Sequence, residues 1–495
     1  MKRALSLALA LWMLVMSAVA CGSKNGQTDN TTTTPPVGSD TTAATETTAP
    51  VETIPPELQD TLPDVRFDGE TFTTLIREST KYEMLSDEIT GDLVSDAVYE
   101  RNLAVEERFG VQLEVITREG EWSQRDAFMA HVSNSILGGD HEFDLVMGHR
   151  SYIVTMPSKG LAYDLTLIDG LDFSKKWWHS GYMDNAEIGG SIYTAAGDIG
   201  HTVYEYLEVI FYNKKLAEQN QITDLYDLVQ SGGWTYDRML TYASTAVSDL
   251  DGNGVYDAGD LYGLSIDAKN IRYLPTYWEA DVTLVGADGL RYFNLPTEKY
   301  IDCYDQAYRM VHECDYVYYV SNSTDDDSMF INDQVLFQAD LLGRAAGMKE
   351  MESEYGILPF PKYNEEQKDY ISTIDDPFSP IMVANNVQNP DMMGVIIEAL
   401  GMYGHEMVTP AYYEMTLKLK YLSDETAMSM IDMIRDNVVL DFAMIYSASL
   451  SAMYSYISNN VQSGKASITS GLASQSKVWQ KTLDKFYADY ERIGD

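Results

Sequence analysis

Ser191 to Gln219, read as SIYTAAGDIGHTVYEYLEVIFYNKKLAEQ, limits the possible folds more than any other stretch of the chain. An apolar run at Ile192, Tyr193 and Ala195 ends at Gly197-Asp198-Ile199-Gly200. A β-branched and aromatic run from Val203 to Tyr212 then precedes an Asn213-Lys214-Lys215 helix start. Residues of the second run suit a pleated, buried strand. Strand and helix patterns alternate on both sides, so the stretch reads as a backbone bridge between two α/β lobes, and function belongs where those lobes face each other.

Two lobes also follow from size, because 495 residues exceed what one hydrophobic core usually covers. A formal charge of −42 repels phosphate backbones and anionic membranes, which excludes nucleic acid as a natural partner and keeps the surface soluble. Met1-Lys2-Arg3, an apolar run from Ala4 to Val19 and small residues before Cys21 form a secretory leader over residues 1–20. Cys21 followed by Gly22-Ser23 resembles a bacterial lipobox, apart from Ala18 where Leu is usual. Diacylglycerol on the sulfur would anchor the exported chain, the competing reading being ordinary cleavage with a free thiol. Elsewhere no run reaches the ~18 apolar residues of a membrane span. Residues 21–64 continue as a Thr- and Pro-rich tether with little to bury. Cys303 and Cys314, eleven positions apart on one predicted helix, would lie ~16 Å apart, too far for a disulfide, and are expected as buried thiols.

Along the body, Thr71 to Ser79 alternates as a strand, and Val94, Ala97, Val98, Val105 and Phe109 share a helical face that stops at Gly110. Val111 to Thr117 is the next strand, Trp122 to Leu137 a helix stopped by Gly138-Gly139, and Phe143 to Met147 a strand ending at Gly148-His149-Arg150. This β-α-β-α-β order predicts a parallel sheet with helices outside it. Beyond the bridge, Thr235 is a natural N-cap, with Trp234 stapled onto Met239. Leu261 to Ile266, Val335 to Asp340 and Tyr355 to Leu358 read as strands, and from Met392 onward the pattern is mostly helical.

One loop has the spacing of a calcium site. Asp249, Asp251, Asn253, Asp257 and Asp260 fall at positions 1, 3, 5, 9 and 12 of a twelve-residue run, with the Val255 carbonyl at 7 and the turn glycine, Gly254, at 6. Such spacing gathers the oxygens a hard cation requires. Asp260 is one methylene shorter than the usual Glu, and a strand replaces the second helix of an EF-hand. A structural ion therefore competes with a solvated Asx-rich turn.

Tyr193-Thr194-Ala195-Ala196-Gly197-Asp198, Phe211-Tyr212-Asn213-Lys214-Lys215-Leu216, Gly233-Trp234-Thr235-Tyr236-Asp237, Tyr262-Gly263-Leu264, Tyr355-Gly356-Ile357-Leu358-Pro359 and Pro410-Ala411-Tyr412-Tyr413-Glu414 follow one another in that order. Together they resemble the maltodextrin-binding kind of extracellular solute-binding protein (family 1), in particular the lipid-anchored members that feed carbohydrate ABC importers. The resemblance implies an α/β, periplasmic-binding-protein-like (type II) fold of two lobes. Each lobe would be a mostly parallel sheet flanked by helices, with several chain crossings. It places crossings near Tyr204, Asp333 and Ser379, residues 65–203 with 334–379 in lobe 1, and residues 204–333 with 380–495 in lobe 2. The implied role is a monomeric, extracytoplasmic binder that captures a carbohydrate, most naturally an oligosaccharide, between the lobes and delivers it to ABC permease subunits. Some relatives hold calcium in a similar loop.

Sugar rings present one apolar face and a rim of hydroxyls, so their sites combine aromatic platforms with carboxylates, amides and Arg. Strand ends and crossings single out His149, Arg150, Asp198, Trp278, Arg344, Asp375 and Asp376, with Trp178 beside Trp177 as a further stacking candidate. Each has a plain competitor: Trp177 and Trp178 as lobe-edge packing, Asp198 as a turn cap, Arg344 as a partner for a helix end. Against catalysis stand the lack of a His-Glu-x-x-His pair, of a Gly-x-Ser-x-Gly elbow and of the upstream glycine that would make Gly464-Lys465 a phosphate loop. Paired carboxylates are too common here to exclude a glycosidase by counting. A polysaccharide-binding surface lipoprotein without transport is the other alternative.

Overall fold

In the computed structural model, residues 54–320, 327–418, 425–450 and 453–494 are described. The leader, Cys21 and the tether up to residue 53 lie outside them. The predicted β-α-β-α-β unit forms from β1 (Thr71–Arg77), α1 (Leu93–Phe109), β2 (Gln112–Arg118), α2 (Arg125–Gly138) and β3 (Leu145–Met147). Asp92 starts α1 by accepting from Ser95 N at 2.9 Å, and Gly110 ends it at φ 65°, a left-handed conformation that suits glycine. β1 pairs in parallel with both β2 and β3, in the register Thr71↔Gln112 and Thr74↔Leu145. Phe72, Val98, Val105 and Phe109 are buried between this sheet and α1.

The second sheet begins with β4 (Glu208–Asn213), buried along its whole length. Asn213 then caps α3 (Lys214–Gln219), accepting from Leu216 N at 3.0 Å. Thr235 caps α4 (Tyr236–Ala243), and Trp234 and Met239 are both buried. The chain continues through β5 (Tyr262–Asp267), α5 (Ala268–Tyr277), the hairpin β6 (Thr283–Val285) and β7 (Arg291–Phe293), and α6 (Glu298–His312). It then forms β8 (Val317–Val320), β9 (Val335–Leu341) and β10 (Tyr355–Leu358). The sheet order is β10-β4-β9-β5-β8; β5 is parallel to β8 and β9, while β4 is antiparallel to β9 and β10. β11 (Ile381–Val383) joins the first sheet antiparallel to β3, giving β11-β3-β1-β2.

These pairings redraw the sequence-based boundaries. Residues 334–379, expected in lobe 1, supply β9 and β10 to the second sheet, so the chain does not cross at Asp333. Residues 380–436, expected in lobe 2, supply β11 and α7 (Pro390–Tyr403), which packs against α1. The crossings are three neighbouring segments. Leu207 bridges Ile374 antiparallel and Ser372 bridges Val438 in parallel. Glu208 N donates to Thr373 O at 3.0 Å, Asp375 N to Tyr206 O at 2.9 Å, and Val439 N to Ser372 O at 2.8 Å. Gly181 of the first lobe admits the third segment, since a Cβ there would lie 1.8 Å from the Val438 carbonyl oxygen.

Two further expectations meet the structure. Residues 54–64, read as tether, lie against the first lobe: Lys175 Nζ donates to Pro56 O at 2.9 Å and Arg108 pairs with Asp60 at 2.7 Å. Cys303 and Cys314 are free thiols, the first buried and the second half-buried. Among the described residues, no helix is long and apolar enough to cross a membrane.

Candidate functional site

The carboxyl ends of β1, β3, β5 and β9 converge on the crossings, the place where open α/β sheets bind ligands. β1 ends at Arg77, which is buried. Its guanidinium donates to Ser379 Oγ at 3.2 Å, to the Pro377 carbonyl and to Glu121 at 3.2 Å. β3 ends at Met147, followed by Gly148, His149 and Arg150. His149 Nδ1 accepts from Ser151 N at 3.2 Å, and its ring centroid is 5.7 Å from Tyr152 and 5.9 Å from Trp122. Burial, with help from the charges of Arg77 and Arg150, pulls His149 down to about 3, so it presents a neutral imidazole.

Trp122 was not singled out by sequence, because it sits where a helix was expected to start. It is 54% exposed beside His149, with the Arg125 guanidinium 4.3 Å from its ring centroid. An indole this open at a strand end is a ready stacking surface. The one available signal was its place in the loop after β2.

Arg150 is fully buried: it pairs with Asp376 and donates to the carbonyls of Met444 and, at 2.8 Å, Ile445. It thus ties the end of β3 to the second and third crossings. Asp375 accepts from Arg272 at 2.7 Å and from the Tyr273 hydroxyl. In the second sheet, β5 ends at Asp267, which caps α5 by accepting from Lys269 N and Asn270 N at 2.8 and 2.9 Å. Asn270 in turn donates to Glu208 at 2.6 Å, and Arg344 Nε lies 3.8 Å from Asp340 near the end of β9.

His149, Arg150, Asp375, Asp376 and Arg344 therefore lie around one interlobe region, while three other candidates are placed elsewhere. Trp278 is buried in the second lobe, its indole N–H on Pro361 O at 3.3 Å and its ring 4.9 Å from Tyr236. Trp178 gives its N–H to Glu398 at 3.0 Å. Asp198 is buried with His405 Nδ1 at 2.5 Å and accepts from the Tyr204 hydroxyl, and with Trp178 it lines a separate cavity of about 50 Å³ beside Val438. Large aromatics at strand ends and turns look alike in sequence whether they end in a core or in a cleft.

The Asp249 loop lies apart from the crossings. Asp249, Asp251 and Asp260 each place a carboxylate oxygen within 4.8 Å of the others, so the donor set fits a hard cation. Asp249 also accepts from Gly252 N and Gly254 N, both at 2.7 Å, and the latter bond holds its carboxyl below the usual range. Asn253 and Asp257 instead accept from nearby backbone, Val255 N at 2.6 Å and Gly259 N at 2.8 Å.

Against solved structures, 85–86% of the chain aligns with sugar-binding proteins. The MalE sugar-binding protein of Xanthomonas citri matches with a TM-score of 0.57 at 13% identity, covering 85% of this chain and 99% of the other. The fold is that of the two-lobed, type II periplasmic binding proteins. The galacto-N-biose-/lacto-N-biose I-binding protein of the Bifidobacterium longum ABC transporter, solved with lacto-N-biose, matches at a TM-score of 0.56 and 15% identity, covering 86% and 98%. A cyclo/maltodextrin-binding protein solved with maltotetraose matches at 0.53 and 14%, covering 86% and 97%. No family model and no curated protein matches by sequence. His149 and Asp267 lie at the carboxyl ends of β3 and β5, one strand from each sheet.

Proposed function

We propose that the protein is a carbohydrate-binding component of an ABC importer, held outside the cytoplasm by a lipid on Cys21 and working as a monomer with permease subunits. The observation that carries the reading is the exposed Trp122 beside the neutral His149 just past the end of β3, with carboxylates and amides gathered at the ends of β5 and β9. A platform together with hydrogen-bonding groups matches a sugar ring's apolar face and hydroxyl rim. The three neighbours described above are sugar-binding proteins, which supports a binder that releases its cargo unchanged over a hydrolase. Calorimetry against a panel of mono- and oligosaccharides tests it: at least one saccharide is expected to bind and be recovered intact. Release of reducing ends, or no binding by any saccharide, would overturn the reading.

A structural calcium ion on Asp249, Asp251 and Asp260, with the Val255 carbonyl, belongs to the same proposal. Three converging carboxylates support it, since they repel one another without a cation. Calcium is expected to raise the melting temperature, by linkage, and Asp251→Ala is expected to lower stability only when calcium is present. Identical melting curves with calcium and with chelator would remove the ion.

A further inference from the structure

The open indole of Trp122 sits on a loop that is fastened more firmly than an exposed residue requires. Among the described residues, the other five tryptophans are at most 3% exposed, so Trp122 at 54% is the exception. Gly120, two positions before it, is threaded between three side chains. A Cβ there would lie 2.8 Å from Arg77 Cγ, 2.8 Å from Phe128 Cδ2 and 2.9 Å from the Tyr152 hydroxyl. These are two aromatic side chains and the stem of a buried arginine, packed too closely to yield, so any larger residue would push the loop outward. The Tyr152 hydroxyl also donates to Gly120 O at 2.7 Å.

Glu121 is tied from another direction. Its Oε1 accepts from Arg77 Nη1 at 3.2 Å and from the Ser79 hydroxyl, while its carbonyl accepts from Gln124 N at 2.8 Å. Arg77 is itself fixed: it is buried, and Nη2 donates to Pro377 O and, at 3.2 Å, to Ser379 Oγ, just past the second crossing. Trp122 is then held directly, its carbonyl accepting from Arg125 Nη1 at 2.8 Å and its ring centroid lying 4.3 Å from that guanidinium. The Arg77–Glu121 pair adds little to stability, because the Glu121 side chain is 47% exposed. Its effect is local. An exposed side chain ordinarily keeps its rotamer freedom, and binding pays for whatever freedom it removes. Here the backbone on both sides of the indole is fixed before any ligand arrives.

We propose that Arg77, Gly120 and Tyr152 are positioning residues for the cargo site: they clamp residues 120–121 so that the Trp122 indole is pre-set as a stacking platform. The inference rests on the saccharide reading above and adds what holds its platform in place.

Fluorescence anisotropy of the ligand-free full chain tests the clamp, the difference from Trp122→Phe isolating the Trp122 signal. Glu121→Ala frees the loop from Arg77 and is expected to lower that anisotropy, whereas Glu121→Gln keeps an oxygen for Arg77 and is expected to restore it. Should Glu121→Ala fold poorly, Tyr152→Phe cuts the other fastening and is expected to act in the same direction. Unchanged anisotropy in both loosened variants overturns the proposal, whatever the cargo. Calorimetry with maltotetraose, lacto-N-biose and glucose as probes then reads the consequence. For a probe that binds, Glu121→Ala is expected to weaken affinity about fivefold in the wild-type background and less than about twofold beside Trp122→Ala, because a positioning residue acts through the indole. Equal losses in both backgrounds would show that Glu121 acts independently of Trp122, and overturn the positioning role. If no saccharide of the wider panel binds the wild-type protein, the saccharide reading falls and the anisotropy alone decides the clamp.

Discussion

His149 and Arg150 are adjacent in sequence and sit at the same strand end, yet their environments give them different work. His149 accepts from Ser151 N through Nδ1, so its proton rests on Nε2, and a pKa near 3 keeps the ring uncharged over the whole physiological range. Arg150 spends its donors on Asp376 and on backbone carbonyls of the third crossing, which leaves it a strut of the hinge. Sequence could place both at a strand end, but which of them faces ligand depends on groups more than two hundred residues away. Trp122 shows the reverse case. It was legible only as a helix-start residue, and its 54% exposure beside His149 is a product of folding. Trp122→Ala is expected to weaken saccharide binding by about 1–2 kcal/mol, roughly tenfold, because a stacking face is lost. Since the indole is open, the melting temperature of the empty protein should move little. A calorimetric titration and a melt on the same sample check both halves; unchanged affinity would take Trp122 out of the site.

At the scale of elements, α7 is fastened to the first lobe by an acid. Glu398 is buried and accepts from Trp177 Nε1 at 2.9 Å, Trp178 Nε1 at 3.0 Å and Asp172 N at 3.2 Å. Burial outweighs these donors and raises its carboxyl to about 7. The folded state therefore holds the proton more tightly than the unfolded chain, and stability falls as pH rises from the unfolded value near 4.5 through 7. The size is on the order of 2–3 kcal/mol. Glu398→Gln removes this titration, so the variant is expected to be the less stable protein at pH 5 and to close the gap by pH 8. A gap constant across that range, read by chemical denaturation, would show that Glu398 does not titrate there. The Trp177-Trp178 pair was legible as packing, and its acid partner was not, because the two are more than two hundred residues apart. The same distance limit explains the boundaries: the strands over residues 335–341 and 355–358 could be read from alternation, whereas their membership of the second sheet follows from pairing with β4 and β5.

For the whole molecule, three crossing segments joined by backbone hydrogen bonds make a ribbon about which the lobes can close on a cargo. The C-terminal helix α8 (Thr469–Gly494) touches both lobes. In the second lobe Ser476 Oγ donates to Leu295 O at 2.8 Å, Gln480 accepts from Phe293 N at 2.9 Å, and Trp479 lies 6.0 Å from Phe293, centroid to centroid. At its far end Tyr490 is buried against Phe486 at 4.8 Å and meets Tyr193, of the first lobe, at 5.6 Å. A helix fixed at both ends must slide or bend when the lobes rotate, so it sets how far they travel. Tyr490→Ala releases the first-lobe end. It is expected to lower stability by about 3 kcal/mol, as large-to-small aromatic truncations do. It is also expected to enlarge the ligand-induced fall in radius of gyration measured by X-ray scattering. A variant that contracts by the same amount as wild type on binding saccharide would show that α8 follows the motion without limiting it. If neither protein contracts with a ligand that calorimetry shows to be bound, closure about the ribbon is itself excluded.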